Sequence, residues 1–359
     1  MVDSRDEVRM DEALALARQG WGQTSPNPLV GAVIYRDDQK ISEGFHARFG
    51  EAHAEAVAIL SAGERAKGST LYVTLEPCAH HGKTPPCVDA IIGAGVSRVV
   101  AAVRDPNPVA AGGVEKLRGA GIQVDVGPRE AEARELNTAF FHAAKSDRPW
   151  VTLKLALSLD GAITGAGRES GWLTGDESRR EVQRLRAGSD AIAVGVQTAI
   201  ADDPQLTART DPPPRVAPLR IVFDRNARLS AQGHLARTAR QIPTIVITTP
   251  STQLPADLEN LGVQQIVAED LDGALRELRS RVVMSLMVEG GAGLAASFLG
   301  AGFVDRLVIF RAPIILGGGS LGAFSGIASQ EVQRAPRFTL IRTQALGDDV
   351  MSVYGTRGA

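Results

Sequence analysis

The chain has 359 residues, 44% of them hydrophobic and 22% charged, with a formal net charge of −2; this is a globular composition at a length suited to two domains, with no field that favours nucleic acid or anionic membrane. Aromatic residues at 4% argue against stacking platforms for single strands. The start is charged and lacks an apolar signal core, and no apolar run approaches the ~18 residues of a membrane span, so the expected location is the cytoplasm.

Met10, Ala13, Leu14 and Ala17 recur at helical spacing, which predicts a helix over Asp6 to Gly20. Leu29 to Tyr35 and Lys40 to Phe45 read as strands around an Asp37-Asp38 turn, and a helix runs from near Ala52 to before Gly63. A strand over Ser69 to Thr74, a helix over Pro86 to Gly93, a strand over Val96 to Val103, a helix near Gly113 to Ala120 and a strand over Ile122 to Val126 continue the series. That alternation implies an α/β fold, a sheet covered by helices. Glu130 to Ala144 reads as one last helix. The polar stretch Lys145 to Pro149 reads as the boundary between a first domain, 1–147, and a second, 148–359.

The second half restarts with a strand over Trp150 to Ser158, a helix over Arg179 to Ala187, a buried strand over Ala191 to Val196 and a proline-rich loop over Asp203 to Pro218. Arg220 to Asp224, Pro243 to Thr248, Val263 to Val267, Val282 to Glu289 and Leu307 to Phe310 read as strands between helical or turn segments. Two strands, near Phe338 to Gln344 and Asp348 to Tyr354, close the chain.

The two cysteines, Cys78 and Cys87, share one short segment, and His53-Ala54-Glu55 stands upstream. A His-x-Glu followed by Pro-Cys and a second Cys is the ligand set of a zinc nucleobase deaminase. His53, Cys78 and Cys87 would hold Zn2+ and leave one position for a water whose pKa the metal lowers. Glu55 would take the water proton and pass it to the departing ammonia. Two residues apart on a regular helix lie about 200° apart, so His53 and Glu55 can serve one centre only where the helix begins. The alternatives are a structural zinc with His80 or His81 as fourth ligand, and buried cysteines without metal.

Signals in the second half are weaker. Gly291, Gly293 and Ala296 fit G-x-G-x-x-G/A after an apolar strand, but no acidic residue follows ~20 positions on, so a standard dinucleotide fold is not implied. Lys154 stands inside an apolar strand and needs a partner, for which Glu289 is the candidate; the alternative is a sheet-edge lysine with its head in water. Arg225, at a strand end, could read a 2′-phosphate. Taken alone, Arg186 and Arg209 read as solvated surface charges.

Ser25-Pro26-Asn27-Pro28-Leu29-Val30-Gly31, His53-Ala54-Glu55, Thr74 to Cys78, His80-His81-Gly82-Lys83-Thr84-Pro85-Pro86-Cys87 and Asp105-Pro106-Asn107-Pro108 resemble the bifunctional bacterial riboflavin-biosynthesis deaminase/reductase family. Thr152 to Gly161, Asp202 to Arg209 and Val288-Glu289-Gly290-Gly291 are similar to that family's reductase domain. The resemblance implies an N-terminal cytidine-deaminase-like three-layer α/β domain and a C-terminal dihydrofolate-reductase-like α/β domain. It implies hydrolytic deamination of a diaminopyrimidine carrying a phosphoribosylamino group, then NADPH reduction of the ribose to a ribityl chain. By position, Asn27 would contact the substrate ring; its plainer alternative is a turn residue between two prolines. Ala156, Trp172, Thr198, Asp202 and the turn Gly290, Gly291, Ala292, Gly293, Leu294 and Ala295 would touch NADPH. Ser170, Arg186, Leu206, Arg209 and Glu289 would touch the second substrate, with Lys154 a catalytic candidate. The resemblance also implies a homo-oligomer, dimer or tetramer. Two rival readings are a tRNA or DNA base deaminase with an accessory domain, and a catalytically dead zinc-binding regulatory subunit.

Overall fold

The computed structural model describes residues 3–82, 85–167, 171–328 and 331–356, and the chain divides into two units, Met1–Ser146 and Asp147–Ala359. In the first, α1 (Ser4–Ala17) starts behind a capping box: Asp3 accepts the amides of Arg5 and Asp6 while Asp6 accepts the amide of Asp3. β1 (Gly31–Arg36), β2 (Gln39–Phe45), α2 (Ala54–Ala62), β3 (Thr70–Val73), α3 (Cys87–Gly93), β4 (Arg98–Ala101), α4 (Gly113–Gly119) and β5 (Gln123–Val126) follow. The sheet order is β2-β1-β3-β4-β5, with β1 antiparallel to both neighbours and β3, β4 and β5 parallel.

Two glycines show why helices cover both faces. A Cβ on Gly31 would lie 2.1 Å from the Ala13 carbonyl oxygen of α1, and one on Gly44 would lie 2.6 Å from the Ala54 carbonyl oxygen of α2. Gly44 pairs with Ala32, so it shares a face with Ala32 and not with Gly31. The two helices therefore take opposite faces, and the strands between them are buried on both sides, as Ala32, Val33 and Ile34 at 0% exposure show.

The expected helix over Glu130 to Ala144 is two helices. α5 (Glu130–Leu136) and α6 (Thr138–Ala143) are separated by Asn137 at φ −117° and ψ 28°. The Asn137 side chain makes two bonds to the Leu29 backbone, and that tertiary contact interrupts what helical spacing alone would continue.

The second unit contains β6 (Trp150–Leu157), β7 (Ala162–Thr164), α7 (Asp176–Ala187), β8 (Ala191–Gly195), α8 (Val196–Asp202), β9 (Leu219–Phe223), α9 (His234–Arg237), β10 (Thr244–Thr248), α10 (Ala256–Asn260), β11 (Gln264–Val267), α11 (Leu271–Ser280), β12 (Ser285–Glu289), α12 (Ala292–Gly300), β13 (Arg306–Arg311), β14 (Leu321–Gly322), β15 (Phe338–Leu346) and β16 (Asp349–Thr356). A nine-stranded sheet runs β11-β10-β9-β8-β12-β6-β13-β16-β15. It is parallel from β11 to β13, and β16 and β15 add antiparallel. The ribbon of β7 and β14 stands apart from it and was not legible as strand, being three and two residues long.

Along β6 burial alternates. Val151, Leu153, Leu155 and Leu157 enter one core cluster, which leaves Lys154 and Ala156 on the opposite face. β6 is an interior strand, so the sheet-edge alternative for Lys154 does not hold. Its register places Lys154 directly opposite Glu289 of β12.

Candidate active sites

In the first unit the chain enters α2 through His53, an extended N-cap residue at φ −74° and ψ 160°, while Glu55 already lies in the first helical turn. The angular problem of a two-residue spacing is solved by this change of backbone: His53 is outside the helix and Glu55 inside it. Cys87 is the first residue of α3 behind Pro86. His53 Nδ1 lies 3.6 Å from Cys78 Sγ and 3.3 Å from Cys87 Sγ, and the Cys87 amide donates to Cys78 Sγ at 3.4 Å. One nitrogen and two sulfurs within 4.8 Å of one another make a zinc donor set. Among the described residues neither His80 nor His81 joins that cluster, so a closed four-ligand site is not formed.

Glu55 is 3% exposed, and burial pushes its pKa up to about 7. The hydrogen bond with Cys87 draws the Cys78 thiol down to about 4 and holds the Cys87 thiol up, because the two sulfurs share one proton. The Cys78 hydrogen bond raises the His53 pKa. His53, Glu55 and Cys78 line a cavity of about 230 Å³, to which Asn27, Glu76, Asp105 and Phe140 also contribute, and Cys87 joins His53 and Cys78 in the donor cluster at its edge.

Two members of this wall were missed from the sequence. His46 Nδ1 lies 3.1 Å from the Ala52 carbonyl and therefore carries the proton there, so Nε2 accepts from Asn27 Nδ2 at 3.2 Å. Burial pushes the His46 pKa down, which keeps the ring neutral for that role. The Asn27 amide is thereby oriented, with Nδ2 bonded to His46. Glu76 is 3% exposed and accepts the amides of Asp105 (3.1 Å), Gly112 (3.2 Å) and Val114 (2.9 Å), which fastens the Asp105–Gly112 wall to the end of β3. A histidine seven residues before the His-x-Glu pair was the available signal for the first. Nothing local marks Glu76, whose partners come from far along the chain.

The second unit holds a cavity of about 1460 Å³ at the carboxyl ends of the parallel strands, where α/β sheets bind ligands. Lys154, Ala156, Trp172, Thr198, Asp202, Arg186, Leu206, Arg209, Arg225, Glu289 and the turn Gly290 to Leu294 all line it. Ala295 does not: it is 0% exposed and its amide is spent on the Gly291 carbonyl. Ser170 lies outside the described residues.

Arg186 is not a solvated surface charge. It is 9% exposed, pairs both ways with Glu289 (Nε to Oε1 2.5 Å, Nη2 to Oε2 3.0 Å) and donates to the Thr207 carbonyl at 3.1 Å. Lys154 Nζ is 3.8 Å from Glu289 Oε2, and burial lowers its pKa. Arg209 is exposed and bonds Gln205 Oε1 and Thr207 Oγ1. Gly291 caps α12, and a Cβ there would approach Thr198 Oγ1 to 3.3 Å, so the turn and Thr198 of α8 form one surface.

The chain matches two family models, the RibD C-terminal domain over residues 149–352 and the cytidine and deoxycytidylate deaminase zinc-binding region over residues 3–103. The riboflavin biosynthesis protein RibD of Aquifex aeolicus is 44% identical over 357 residues, 99% of each chain. That of Escherichia coli is 40% identical over 359 residues, covering 96% of this chain and 98% of the relative. The solved RibD of Acinetobacter baumannii superposes with a TM-score of 0.87 at 38% identity over 98% of both chains. A Thermotoga maritima structure, described as a diaminohydroxyphosphoribosylaminopyrimidine deaminase/5-amino-6-(5-phosphoribosylamino)uracil reductase, gives 0.87 at 37% identity over 98% of both chains. With a zinc-type deaminase domain followed by an NADPH-dependent reductase domain, the chain belongs to the RibD family of bifunctional deaminase/reductases of riboflavin biosynthesis.

Proposed function

We propose that the first unit deaminates 2,5-diamino-6-(5-phosphoribosylamino)pyrimidin-4-one and that the second reduces the resulting 5-amino-6-(5-phosphoribosylamino)uracil to the ribitylamino phosphate. The observation that carries the first step is Glu55 buried beside the clustered His53, Cys78 and Cys87 donors, at a cavity that Glu55, His53 and Cys78 line. His53, Cys78 and Cys87 would hold zinc, which when bound would supply Lewis acidity at the attacking water and lower its pKa. Glu55, with its pKa near neutrality, takes a proton from the attacking water and returns it to the leaving amine. Asn27, turned by His46, offers its free Oδ1 to the ring's amino edge.

In the second unit Ala156, Trp172, Thr198, Asp202, Arg225 and the Gly290–Leu294 turn would hold NADPH, which when bound supplies the hydride. Thr198 and the turn present a hydroxyl and close backbone to the cofactor's phosphates. Leu206, Arg209, Arg186, Glu289 and Ser170 would hold the substrate. Arginine suits its phosphate through a planar fork of donors, a role open to the exposed Arg209. Lys154, largely enclosed beside Glu289, would hold a proton at the ribose oxygen.

We read the enzyme as a cytoplasmic homo-oligomer. The outward residues Leu340, Ile341 and Val350 on β15 and β16 offer apolar surface for contact between reductase units. Ammonia and NADPH, followed together on the diaminopyrimidine nucleotide, test the assignment. Ammonia release without cofactor, with NADPH oxidised only afterwards, is the expected order. Protein holding one zinc that releases no ammonia would overturn the substrate.

A further inference from the structure

Asn137 occupies the N-cap position of α6 but does not cap it. Asparagine is among the favoured N-cap residues because its side chain can accept the first free amides of a helix. Here the side chain goes elsewhere. Oδ1 accepts the Leu29 amide at 2.7 Å and Nδ2 donates to the Leu29 carbonyl at 2.9 Å, across 108 positions of sequence. Asn137 is 6% exposed and Leu29 7%.

The two bonds supply what a neighbouring strand would supply, in a segment that has none: residues 21–30 contain neither helix nor strand. Leu29 stands among Asn27, Pro28 and Val30, all of which line the deaminase cavity. On the Asn137 side, Phe140 lies one helical turn on and lines the same cavity. Asn137 itself is not on the wall. A single amide therefore ties the Asn27–Val30 wall to the Phe140 wall, at the expense of a continuous helix from Glu130 to Ala143.

We propose that Asn137 is a positioning residue of the deaminase half, which sets the distance between these two walls and so the fit of the pyrimidine ring. The inference rests on the reading of Asn27 as a substrate contact and gives that contact its support. It involves neither the zinc ligands nor Glu55, so it acts on substrate binding and not on the chemical step.

The test uses the full-length, zinc-loaded enzyme and the variants Asn137→Leu, Asn137→Asp, Asn27→Ala and Asn27→Ala/Asn137→Leu. Asn137→Leu removes both bonds, and its KM for the diaminopyrimidine nucleotide should rise about tenfold. Its kcat should stay within about twofold, with zinc content and NADPH-dependent reduction unchanged. In the Asn27→Ala background the same change should add less than about twofold, because both substitutions disable one wall. Asn137→Asp keeps the acceptor for the Leu29 amide but sets a carboxylate against the Leu29 carbonyl, so its KM should rise as well; it carries the comparison if the leucine variant does not fold.

An unchanged KM in the folded Asn137 variants overturns the inference, and so does a loss confined to kcat. Where Asn27→Ala by itself raises KM, an equal further rise on adding Asn137→Leu also overturns it, since that is the mark of a general structural defect. Should Asn27→Ala alone leave KM unchanged, Asn27 is not a substrate contact. A KM rise in Asn137→Leu would then still support positioning, through Pro28, Val30 and Phe140.

Discussion

Arg186 and Glu289 lie 103 residues apart and meet as a two-point ion pair, each side chain little more than a tenth exposed. Burial alone would raise the Glu289 pKa; Arg186 and Lys154 outweigh it and hold the carboxylate below its ordinary value of 4.5. Arg186→Met leaves Glu289 without its guanidinium partner and with Lys154 at 3.8 Å as its remaining cation; it should cost about 3 kcal/mol at neutral pH, together with loss of reductase activity. A group with a depressed pKa contributes stability above its unfolded value and loses it as pH falls. The gap between native and variant in urea unfolding should therefore be full at pH 7 and narrow below about pH 4.5. A gap that is constant with pH would remove Glu289 as its source.

Glu55→Gln keeps the size of the side chain and its place in the first turn of α2. It cannot move a proton. Ammonia release should fall about a thousandfold, while zinc, measured by metal analysis, stays at one per chain. Turnover near the native rate would take Glu55 out of the mechanism.

Asp105 is pushed up to about 6, first by burial and then by the charges of Glu76 and Cys78. Unfolded, it loses its proton near pH 4; folded, it keeps it until about 6. Over that interval unfolding releases a proton, so the folded state loses stability as pH rises. The substitution Asp105→Asn keeps the acceptor that Asp105 Oδ1 provides to the Asn107 amide and leaves nothing to titrate. The variant should match the native protein at pH 4 and exceed it by about 1 kcal/mol at pH 7.5, after allowance for solvent screening. Denaturant titrations at both pH values decide this, and equal stabilities at pH 7.5 would show that Asp105 is not strained by its charge.

Gly113→Ala would set a Cβ 1.9 Å from the Pro77 carbonyl oxygen. Pro77 adjoins Cys78, so relief of the clash would move the donor set proposed to hold zinc. A destabilisation of about 2–3 kcal/mol is expected, along with faster zinc loss to a chelator, read by a colorimetric zinc indicator. Native melting and native zinc retention would mean that the Pro77 backbone can yield without moving Cys78.

The zinc centre was legible because its parts lie in contiguous motifs at helix starts. His53 and Glu55 need only the entry into α2 to converge, and Cys87 needs only Pro86 to open α3. Helix starts are written locally, in caps and prolines. The α/β alternation was legible for the same reason, since period and turn residues are properties of neighbours in sequence.

The reductase site was not legible from residues alone. Arg186 looks like any helical arginine until β12 brings Glu289 beside it; the pairing of Lys154 with Glu289, by contrast, is anticipated by a lysine inside an apolar strand, and the register bears it out. The break at Asn137, the orientation of Asn27 by His46 and the three amides gathered by Glu76 are likewise long-range. Most of the elements, and the convergence of His53, Cys78 and Cys87 with Glu55 beside them, could be read from residue order alone, because short spans and local backbone preferences specify them. Only the tertiary structure decided which buried polar groups satisfy one another, because a hydrogen bond or ion pair out of water is chosen by the packing of strands and helices far apart in the chain.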